Sequence, residues 1–486
     1  SPARQVGYSQ RNWGRKNRGC LETGVFPEGT SKWKVIPMVS KRAYKRVNVN
    51  DIDRERLIDR AVEFGDTGTV LGLDIAKQEI VACLRWGKGT FERPWKVVNP
   101  KEIELLVELC KLLESRCDGF TVGLESTGTY GDGIRYALTA AGISVQRVSG
   151  KAVSDYKEIF DGVPSQHDGK DAAMVAELIS LGKGRLWPYT PLSEREQIMK
   201  HQVKKVDSFR RVSTQWVGRL EAMVARHWPE LTVDLKLSSV TILKLLATYG
   251  SPAKALADPQ LARQLRLWGK SYLEEEKLQG ILTSGRSTKG LPMSESDCYW
   301  MQELAEEVLR CHRVELKCEN IIKSQVAGDP IMQRYSKAVG CCTLAVLWTE
   351  AGDPAKYGSA GAYIKALGLN LKERSSGKRA GQLAISKRGS AMSRRWIYFW
   401  AMRAVQKDEL KGWYGDFSQV GNQKTKTNSE LRKMKGLVAM MRKLCKSLWH
   451  ARVNNKDFDY SLVVHTRSRP ARRRRPKSGK RMASVQ

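Results

Sequence analysis

Hydrophobic and polar positions follow a strand-like pattern in the first part of the chain. Three apolar runs of strand length begin at Thr69, namely TVLGLDI, EIVACLRW and a run within TFERPWKVVN. A helical pattern follows (KEIELLVELCKLLESR), and then strands (FTVGLE, ISVQRVS) alternate with helices (GDGIRYALTAAG, and DGKDAAMVAELISLGK from Asp168). Three adjacent strands followed by this alternation predict an α/β domain of the ribonuclease-H-like (RNase H-like) type. Actin-like sugar kinases begin with the same order of elements, so the order alone leaves that fold open.

The pattern between about Pro191 and Pro330 has a helical period. Two long amphipathic stretches stand out, and the second approaches a heptad seam. These helices either pair with each other or form a coiled-coil arm with another subunit, and a plain helical core explains the same pattern. The segment from Leu235 to Gly290 is an insertion of shorter helices. The apolar positions are Met199, Val203, Val206, Phe209, Trp216, Leu220 and Met223 in the first stretch, and Met301, Leu304, Val308, Cys311 and Cys318 in the second.

A third part, from Ala327 to about Tyr460, is predicted to be mostly α-helical. Gly340 lies in a short turn between two helical stretches, which predicts helix-hairpin-helix character and backbone N–H groups suited to phosphate contact. A basic loop rich in Gly and Ser follows (GLNLKERSSGKRAGQLAISKRGSAMSRRW), and then another helix (GLVAMMRKLCKSLWHAR).

The charge of the chain indicates a protein that binds a polyanion and not a neutral enzyme. The chain has 84 Lys+Arg against 51 Asp+Glu, a net charge of +33. Residues 1–50 hold eleven basic and two acidic residues, and Thr466 to Gln486 holds nine basic residues and no acid. We expect both ends to be flexible arms that attract phosphate backbones. The predicted division is a basic extension (1–66), an RNase H-like domain (67–187), a helical coiled-coil region with its insertion (188–326), a C-terminal domain (327–460) and a basic disordered tail (461–486).

The sequence predicts neither a membrane span nor a signal peptide nor a functional cysteine site. No window approaches the roughly 18 to 20 apolar residues of a bilayer span, and the first residues lack the apolar segment of a signal peptide. We therefore expect a cytoplasmic, nucleoid-associated protein. The ten cysteines contain no CxxC pair. Cys110 with Cys117, and Cys311 with Cys318, share helix faces, which predicts core packing and not zinc or disulfides.

Four acids are candidates for a metal site. Asp74 ends the first strand, Glu125 ends the fourth, and Asp168 and Asp171 lie on the first turn of the last helix. Strand ends meet at one sheet edge and residues three apart share a helix face, so the four can converge. Converging carboxylates repel unless a divalent cation neutralises them, and oxygen ligands favour Mg²⁺, with Mn²⁺ as a substitute. Such ions support phosphoryl transfer on nucleic acid.

Each acid also has a structural interpretation. Asp168 can cap its helix, Asp171 can complement the helix dipole, and the two strand-end acids can sit in ordinary turns. His167 precedes Asp168 and is interpreted as a supporting group behind the carboxylates rather than as a general base.

A serine pair in the basic loop is a candidate nucleophile. Ser375 and Ser376 precede Gly377, and neighbouring cations and metal can stabilise a serine alkoxide. Ser-Ser-Gly is also common in plain loops. The basic residues that follow are predicted to bind nucleic-acid phosphates; they are Lys378, Arg379, Lys387, Arg388, Arg394 and Arg395.

Together these residues resemble the DEDD-type transposases of insertion-sequence family one-hundred-and-ten, which include DNA invertases and bridge-RNA-guided recombinases. The matching segments are GLDIAK with Asp74, GLESTGTY with Glu125, HDGKDA with Asp168 and Asp171, and the run from GLNLKERSSG through ISKRG to AMMRKL. The resemblance extends from about Thr69 to Asp459. The chain departs from the family in its basic N-terminal extension, in His before Asp168 where Thr is more frequent, and in a longer helical middle.

The resemblance implies a RuvC-like domain that holds Mg²⁺ with the four acids, a coiled-coil arm and a C-terminal transposase domain. It implies that Ser376 attacks a DNA phosphodiester and forms a phosphoserine intermediate. It also implies a homo-oligomer, a dimer or tetramer, in which the metal site of one subunit works with the serine of another. The partners implied are the element ends, the target DNA and a structured guide RNA.

Four other functions are alternatives to a transposase. A DNA invertase of the same family would be distinguished from a transposase by the DNA that flanks its gene. A nucleic-acid-binding protein without cleavage is disfavoured by the intact acids and Ser376, and a metal-dependent Holliday-junction nuclease has no need of Ser376. An actin-like kinase expects a small Gly/Thr-rich turn after the first aspartate, where this chain has Ile-Ala-Lys.

Overall fold

The computed structural model describes residues 45–65, 68–125, 128–161, 167–233, 236–376, 379–419 and 426–464. The chain divides into two compact units, residues 1–191 and residues 192–486. The predicted basic arms, apart from residues 45–50 and 461–464, lie outside the described residues.

The first unit is a mixed α/β domain. Its elements are β1 (Val47–Asn48), α1 (Arg54–Phe64), β2 (Val70–Ile75), β3 (Glu79–Arg85), β4 (Trp95–Val98), α2 (Ile103–Arg116), β5 (Thr121–Glu125), α3 (Asp132–Ala140), β6 (Val145–Val148), α4 (Gly150–Asp161), α5 (Asp168–Ser180) and β7 (Arg185–Leu186). From β2 to β6 the order confirms the predicted run of three strands followed by alternating helices and strands, and α5 begins at Asp168 as predicted, whereas α4 and β7 were not predicted.

A seven-stranded sheet organises the described part of this unit. Its strand order is β1-β4-β3-β2-β5-β6-β7. The central strand β2 pairs antiparallel with β3 and parallel with β5, and β5 pairs parallel with β6. Both β2 and β5 have buried cores because helices cover the sheet, which is why they read as nearly continuous apolar runs. This arrangement is consistent with an RNase H-like domain.

The folded unit begins earlier than the sequence predicted. The stretch 1–66 was predicted to be a flexible extension, yet Val47 pairs with Trp95 and adds a parallel strand beside β4. Leu57 and Ala61 of α1 are buried in the same apolar cluster as the sheet. The prediction was wrong for residues 45–65 because a two-residue strand and a mostly charged helix leave too little periodicity to detect.

The second unit consists largely of helices. Its elements are α6 (Glu194–His227), α7 (Val240–Tyr249), α8 (Pro252–Ala257), α9 (Leu261–Gly269), α10 (Glu275–Arg286), α11 (Glu295–Ala327), α12 (Pro330–Val339), α13 (Cys341–Ala351), α14 (Ala360–Ala366), β8 (Leu371–Ser376), β9 (Arg379–Ile385), α15 (Ala391–Ala404), α16 (Asp408–Gln419) and α17 (Lys426–Val453).

The two long helices α6 and α11 pair with each other inside the chain. Met199 near the start of α6 shares an apolar cluster with Val326 near the end of α11, and Leu220 shares a second cluster with Leu304. The helices are therefore antiparallel. Arg210 forms ion pairs with Glu315 and Glu319 across this contact. The sequence left open whether these helices pair with each other or with another subunit. In the described residues they pair with each other within one chain.

The insertion between the long helices folds into α7 to α10. Ser239 and Ser251 accept hydrogen bonds from backbone N–H groups at the starts of α7 and α8. Leu243, Leu265 and Leu278 of these helices are buried against the far end of the α6–α11 pair. The insertion is thus packed onto the tip of a helical hairpin.

The rest of the second unit packs at the other end of the hairpin. Gly340, with a φ of 89°, is the single residue between α12 and α13, which confirms the predicted turn. Trp400 of α15 and Leu444 of α17 share an apolar cluster with Met199 of α6. The helical middle and the C-terminal part therefore share one core, and their division at residues 326 and 327 stays a prediction.

The segment predicted as a basic loop contains a β-hairpin. Strands β8 and β9 pair antiparallel, with Leu371 opposite Ile385 and Ser376 opposite Arg379. The prediction of a loop was wrong for these residues because their cations, glycines and serines do not give the apolar alternation by which a strand is predicted.

Two further expectations can be compared with the described residues. Cys110, Cys117, Cys311 and Cys318 are all buried and free, as core packing requires. In the part of the chain that the structure describes, no helix is long and apolar enough to cross a membrane.

Candidate active site

Two adjacent parallel strands bring the first two acids together. Asp74 is the penultimate residue of β2, and Glu125 is the last residue of β5. The register pairs Leu73 with Leu124, so both acids follow directly on strands about 4.8 Å apart. Buried leucines hold the strand ends in place while both carboxyl groups stay partly accessible. The predicted convergence at one sheet edge is found for this pair.

The other two acids lie on the first turn of α5. His167 caps this helix, because its Nδ1 accepts a hydrogen bond from the Gly169 N–H at 3.1 Å. The Asp171 N–H donates to the His167 carbonyl at 3.0 Å. Asp168 is therefore the first helical residue and not the cap, which corrects the structural interpretation given to it from sequence. His167 fixes the turn that carries both acids.

Close backbone contacts bring α5 to the sheet. A Cβ added at Gly72 of β2 would collide with the Ala172 carbonyl oxygen and lie 2.7 Å from the Ala176 nitrogen. A Cβ added at Gly150, the first residue of α4, would collide with the Glu125 carboxylate. Glycine at position 72 lets α5 approach β2 closely, and glycine at position 150 lets the Glu125 carboxylate approach the start of α4. Neither contact was predicted, because sequence does not reveal which backbone faces which.

The acids act on one another electrostatically. Burial and then, in decreasing order, the charges of Asp171, Asp168 and Glu125 together raise the pKa of Asp74 from 3.8 to about 6. Burial and then Asp171 also raise the pKa of Glu125. The four candidate acids therefore form a cluster around Asp74, whose ionised form is opposed by the charges of the other three.

Two cations offset this repulsion. Lys157 of α4 places its Nζ 2.6 Å from Asp171 Oδ1 and 2.7 Å from Oδ2, and its charge lowers the pKa values of Asp74 and Glu125. Arg46 contacts Asp168 Oδ2 at 2.6 Å and also pairs with Glu79. Neither cation was predicted from the sequence, since neither lies in the motifs that carry the acids.

The donor set fits a hard divalent cation. Four carboxyl groups supply only oxygen ligands, and the pKa values of Asp74 and Glu125 are raised by burial and by neighbouring carboxylates, which a bound cation would offset. Among the described residues, no three such side chains already lie close enough together to hold an ion. Lys157 and Arg46 lie against two of the four acids. Metal binding at this cluster requires the carboxylates to move closer together around the ion and the two cations to give up their contacts with the acids.

The candidate serine belongs to the second unit. Ser376 is the last residue of β8 and pairs with Arg379, and the register shifts between Arg374 and Ser376. Such irregularities of register are frequent beside active sites. Gly377 and Lys378 lie outside the described residues.

The other predicted phosphate-binding residues differ in their surroundings. Lys387 and Arg388 are exposed beyond the hairpin. Arg394 donates to the Gly389 carbonyl at 2.8 Å. Arg395 contacts buried Asp207 of α6 at 2.5 Å, and the Trp396 indole donates to the same carboxylate. Arg395 thus has a structural partner, whereas Lys387 and Arg388 face solvent.

Two family models match the parts of the chain that carry the candidate residues. One family model, described as a transposase of the DEDD type in the IS110 group, matches residues 71–229, which include Asp74, Glu125, Asp168 and Asp171. A second model, the transposase IS116/IS110/IS902 family, matches residues 335–414, which include Ser376. The chain belongs to the IS110 family of insertion-sequence transposases. No curated protein matches the chain significantly.

Proposed function

We propose that this transposase moves its insertion sequence by Mg²⁺-assisted cleavage and exchange of DNA strands through a phosphoserine intermediate. The observation that carries the proposal is the electrostatic cluster of Asp74, Glu125, Asp168 and Asp171, in which Asp74 has a pKa of about 6. Carboxylates that repel one another destabilise a fold. Phosphoryl transfer, in contrast, needs a cation at a site of this kind.

In the proposed reaction, the Ser376 oxygen attacks the phosphorus of a DNA phosphodiester. A bond forms between the serine oxygen and phosphorus, and the bond from phosphorus to the leaving sugar oxygen breaks. The serine proton passes to a base or water, and the leaving oxygen takes up a proton. Attack by a sugar hydroxyl of another strand reverses these steps and releases the serine. Each step exchanges one phosphate ester for another, so no external energy source is required.

The residues of the chain have distinct parts in this proposal. Asp74, Glu125, Asp168 and Asp171 hold the ion, and His167 fixes the turn that presents the last two. Bound Mg²⁺ stabilises negative charge on the phosphate. Lys387 and Arg388 hold the DNA backbone near the hairpin, together with Lys378, Arg379, Arg394 and, where its ion pair opens, Arg395.

We further propose that a structured guide RNA selects the DNA, and that subunits assemble so that the acids of one protomer serve Ser376 of another. The net charge of +33 supports two nucleic-acid partners. Coiled-coil contacts between subunits and action at the nucleoid belong to the same proposal.

The nucleophile can be tested with two neighbouring serines. Ser376→Ala should abolish the covalent adduct with a DNA substrate on denaturing gels, while binding by fluorescence anisotropy stays unchanged. Ser375→Ala is the matched control and should retain the adduct. An adduct that persists in Ser376→Ala and disappears in Ser375→Ala would reassign the nucleophile.

The metal site can be tested with two aspartates of neighbouring helices. Asp171→Asn should weaken Mn²⁺ binding, followed by electron paramagnetic resonance, and lower cleavage in parallel. Asp155→Asn is the control, since this exposed acid pairs with Lys151 on the outer face of α4. Unchanged Mn²⁺ binding and cleavage in Asp171→Asn would remove this acid from the site.

A further inference from the structure

The outer edge of the first unit carries a group of aromatic and arginine side chains that the proposed chemistry does not use. We call it the arginine–aromatic face, and it follows β7, the edge strand that pairs with β6. Its members are Arg135, Tyr136, Arg147, Arg185, Trp187 and Tyr189. With strands about 4.8 Å apart, β7 lies about 14 Å across the sheet from β2, the strand that carries Asp74.

The aromatic rings of this face are held in fixed positions. Arg135 donates to the Trp187 and Pro188 carbonyls, each at 3.1 Å, and its guanidinium lies 4.0 Å from the centre of the Trp187 ring. The Tyr189 N–H donates to Thr139 Oγ1 at 2.9 Å. Tyr136 packs edge-on against Tyr189 with ring centres 5.4 Å apart. These contacts tie the segment after β7 to α3, so the rings lose little conformational entropy on binding a ligand.

The same face exposes apolar and cationic groups to solvent. Tyr136 is 57% exposed, and Arg147, Arg185 and Lys183 are exposed as well. Arg147 lies 5.5 Å from the Trp187 ring centre. Neither segment 133–147 nor segment 181–190 contains an acid, and Asp132, 3.5 Å from Arg135, is a carboxylate that contacts the face. Charge and aromaticity together favour a partner that combines phosphates with flat rings.

We propose that the arginine–aromatic face binds unpaired bases of a nucleic-acid strand. An exposed ring stacks on any base, and arginine contacts both the phosphates and the faces of the bases. Paired bases inside a duplex are closed to such stacking, so the face selects a single strand or a loop. The inference rests on the proposed function only in that nucleic acid is the partner of this chain.

The test measures binding of the full chain to three probes by fluorescence anisotropy: an oligouridylate, an oligothymidylate and a short DNA duplex. Tyr136→Ala should weaken binding to the single strands by about tenfold, the effect of losing one stacked base. Duplex binding should not change. Tyr272→Ala is the control, because Tyr272 is an exposed tyrosine of the second unit at 88% exposure.

A second variant tests the cations. Arg147→Ala with Arg185→Ala should lower the slope of log affinity against log salt by about 1.4, since each phosphate contact on a single strand contributes about 0.7. Lys111→Ala with Arg116→Ala, two exposed cations of α2, should not lower it. A purely structural role would change the melting temperature and leave this slope unchanged.

The outcomes separate the candidate sources of the strand. Weaker binding of the oligouridylate alone identifies an RNA site, and equal loss for both single strands identifies a site for unpaired bases of either kind. Unchanged single-strand affinity in Tyr136→Ala, or an equal loss in Tyr272→Ala, would overturn the inference. Ser376→Ala tests the chemistry and should leave all three affinities unchanged, so failure of the proposed reaction would not be confused with failure of this site.

Discussion

Asp74 holds its proton more tightly in the folded chain than in the unfolded one. Its pKa is about 6 in the fold against an ordinary value of 3.8. Between these two values the folded chain binds the extra proton, so rising pH lowers the free energy of unfolding of the metal-free protein. The loss is complete above about pH 6, where the carboxylate is charged in both states.

Asp74→Asn should therefore stabilise the metal-free protein at neutral pH. We expect a gain of about 1 kcal/mol in the free energy of unfolding, less than the full shift implies because solvent screens a partly open side chain. The gain should fade as the pH approaches 4. Urea denaturation with a chelator at both pH values measures it, and a gain that did not depend on pH would contradict the electrostatic origin.

Lys157 competes with any cation that approaches Asp171. Replacing it by Met removes a charge 2.6 Å from a carboxylate oxygen, so Mn²⁺ should bind roughly five- to tenfold more tightly. Lys151→Met is the matched control on the same helix, since Lys151 pairs with exposed Asp155. Titration followed by electron paramagnetic resonance gives both affinities. Weaker Mn²⁺ binding in Lys157→Met would show that this lysine supports the ion instead of opposing it.

The four acids could be predicted from sequence and their counterions could not. Asp74 and Glu125 end apolar runs, and Asp168 and Asp171 begin a helix, so local pattern locates all four. Lys157 and Arg46 meet the acids only through the tertiary fold. The role of Ser376 as a nucleophile stays a proposal that came from the motif and not from local physics.

Among the elements, α5 approaches β2 more closely than side chains normally allow. The approach depends on Gly72, which faces Ala172 and Ala176. Because α5 carries Asp168 and Asp171 and β2 carries Asp74, the spacing of the acids depends on this glycine.

Gly72→Ala should separate these elements. The added methyl group overpacks the contact and should lower the free energy of unfolding by about 2 kcal/mol, and it should also weaken Mn²⁺ binding. Gly133→Ala in α3 is the control, because its added Cβ meets Ile103 at an ordinary 3.8 Å. Urea denaturation and Mn²⁺ titration are the measurements. A stable Gly72→Ala protein with normal Mn²⁺ affinity would show that the helix can move without consequence.

The long apolar elements were predicted, whereas the helices α1 and α4 and the shortest strands were missed. The buried strands β2, β3 and β5 and the long helices have enough residues for a period to emerge. The strands β1 and β7 have two residues each, which is too few for any period. The hairpin β8–β9 is long enough, but its many charged and small residues follow no apolar alternation in the sequence.

For the whole molecule, the excess of 33 positive charges favours strong, salt-dependent binding of nucleic acid. Replacing Arg472, Arg473, Arg474 and Arg475 by Gln should lower the slope of log affinity against log salt by about 3.6 on duplex DNA, at about 0.9 for each phosphate contact. Anisotropy titrations over a salt series measure this slope. The Lys111→Ala and Arg116→Ala double variant is the control, and an unchanged slope would mean that these arginines do not touch DNA.

The antiparallel pair of α6 and α11 has a mechanical consequence. With 34 residues, α6 is about 51 Å long, and it carries α7 to α10 at one end while its other end lies in the C-terminal core. A tilt of about 10° at the core would displace the tip by about 9 Å. The hairpin therefore acts as a lever. A small rearrangement around Trp400 would displace α7 to α10, and any molecule bound to them, by several ångströms.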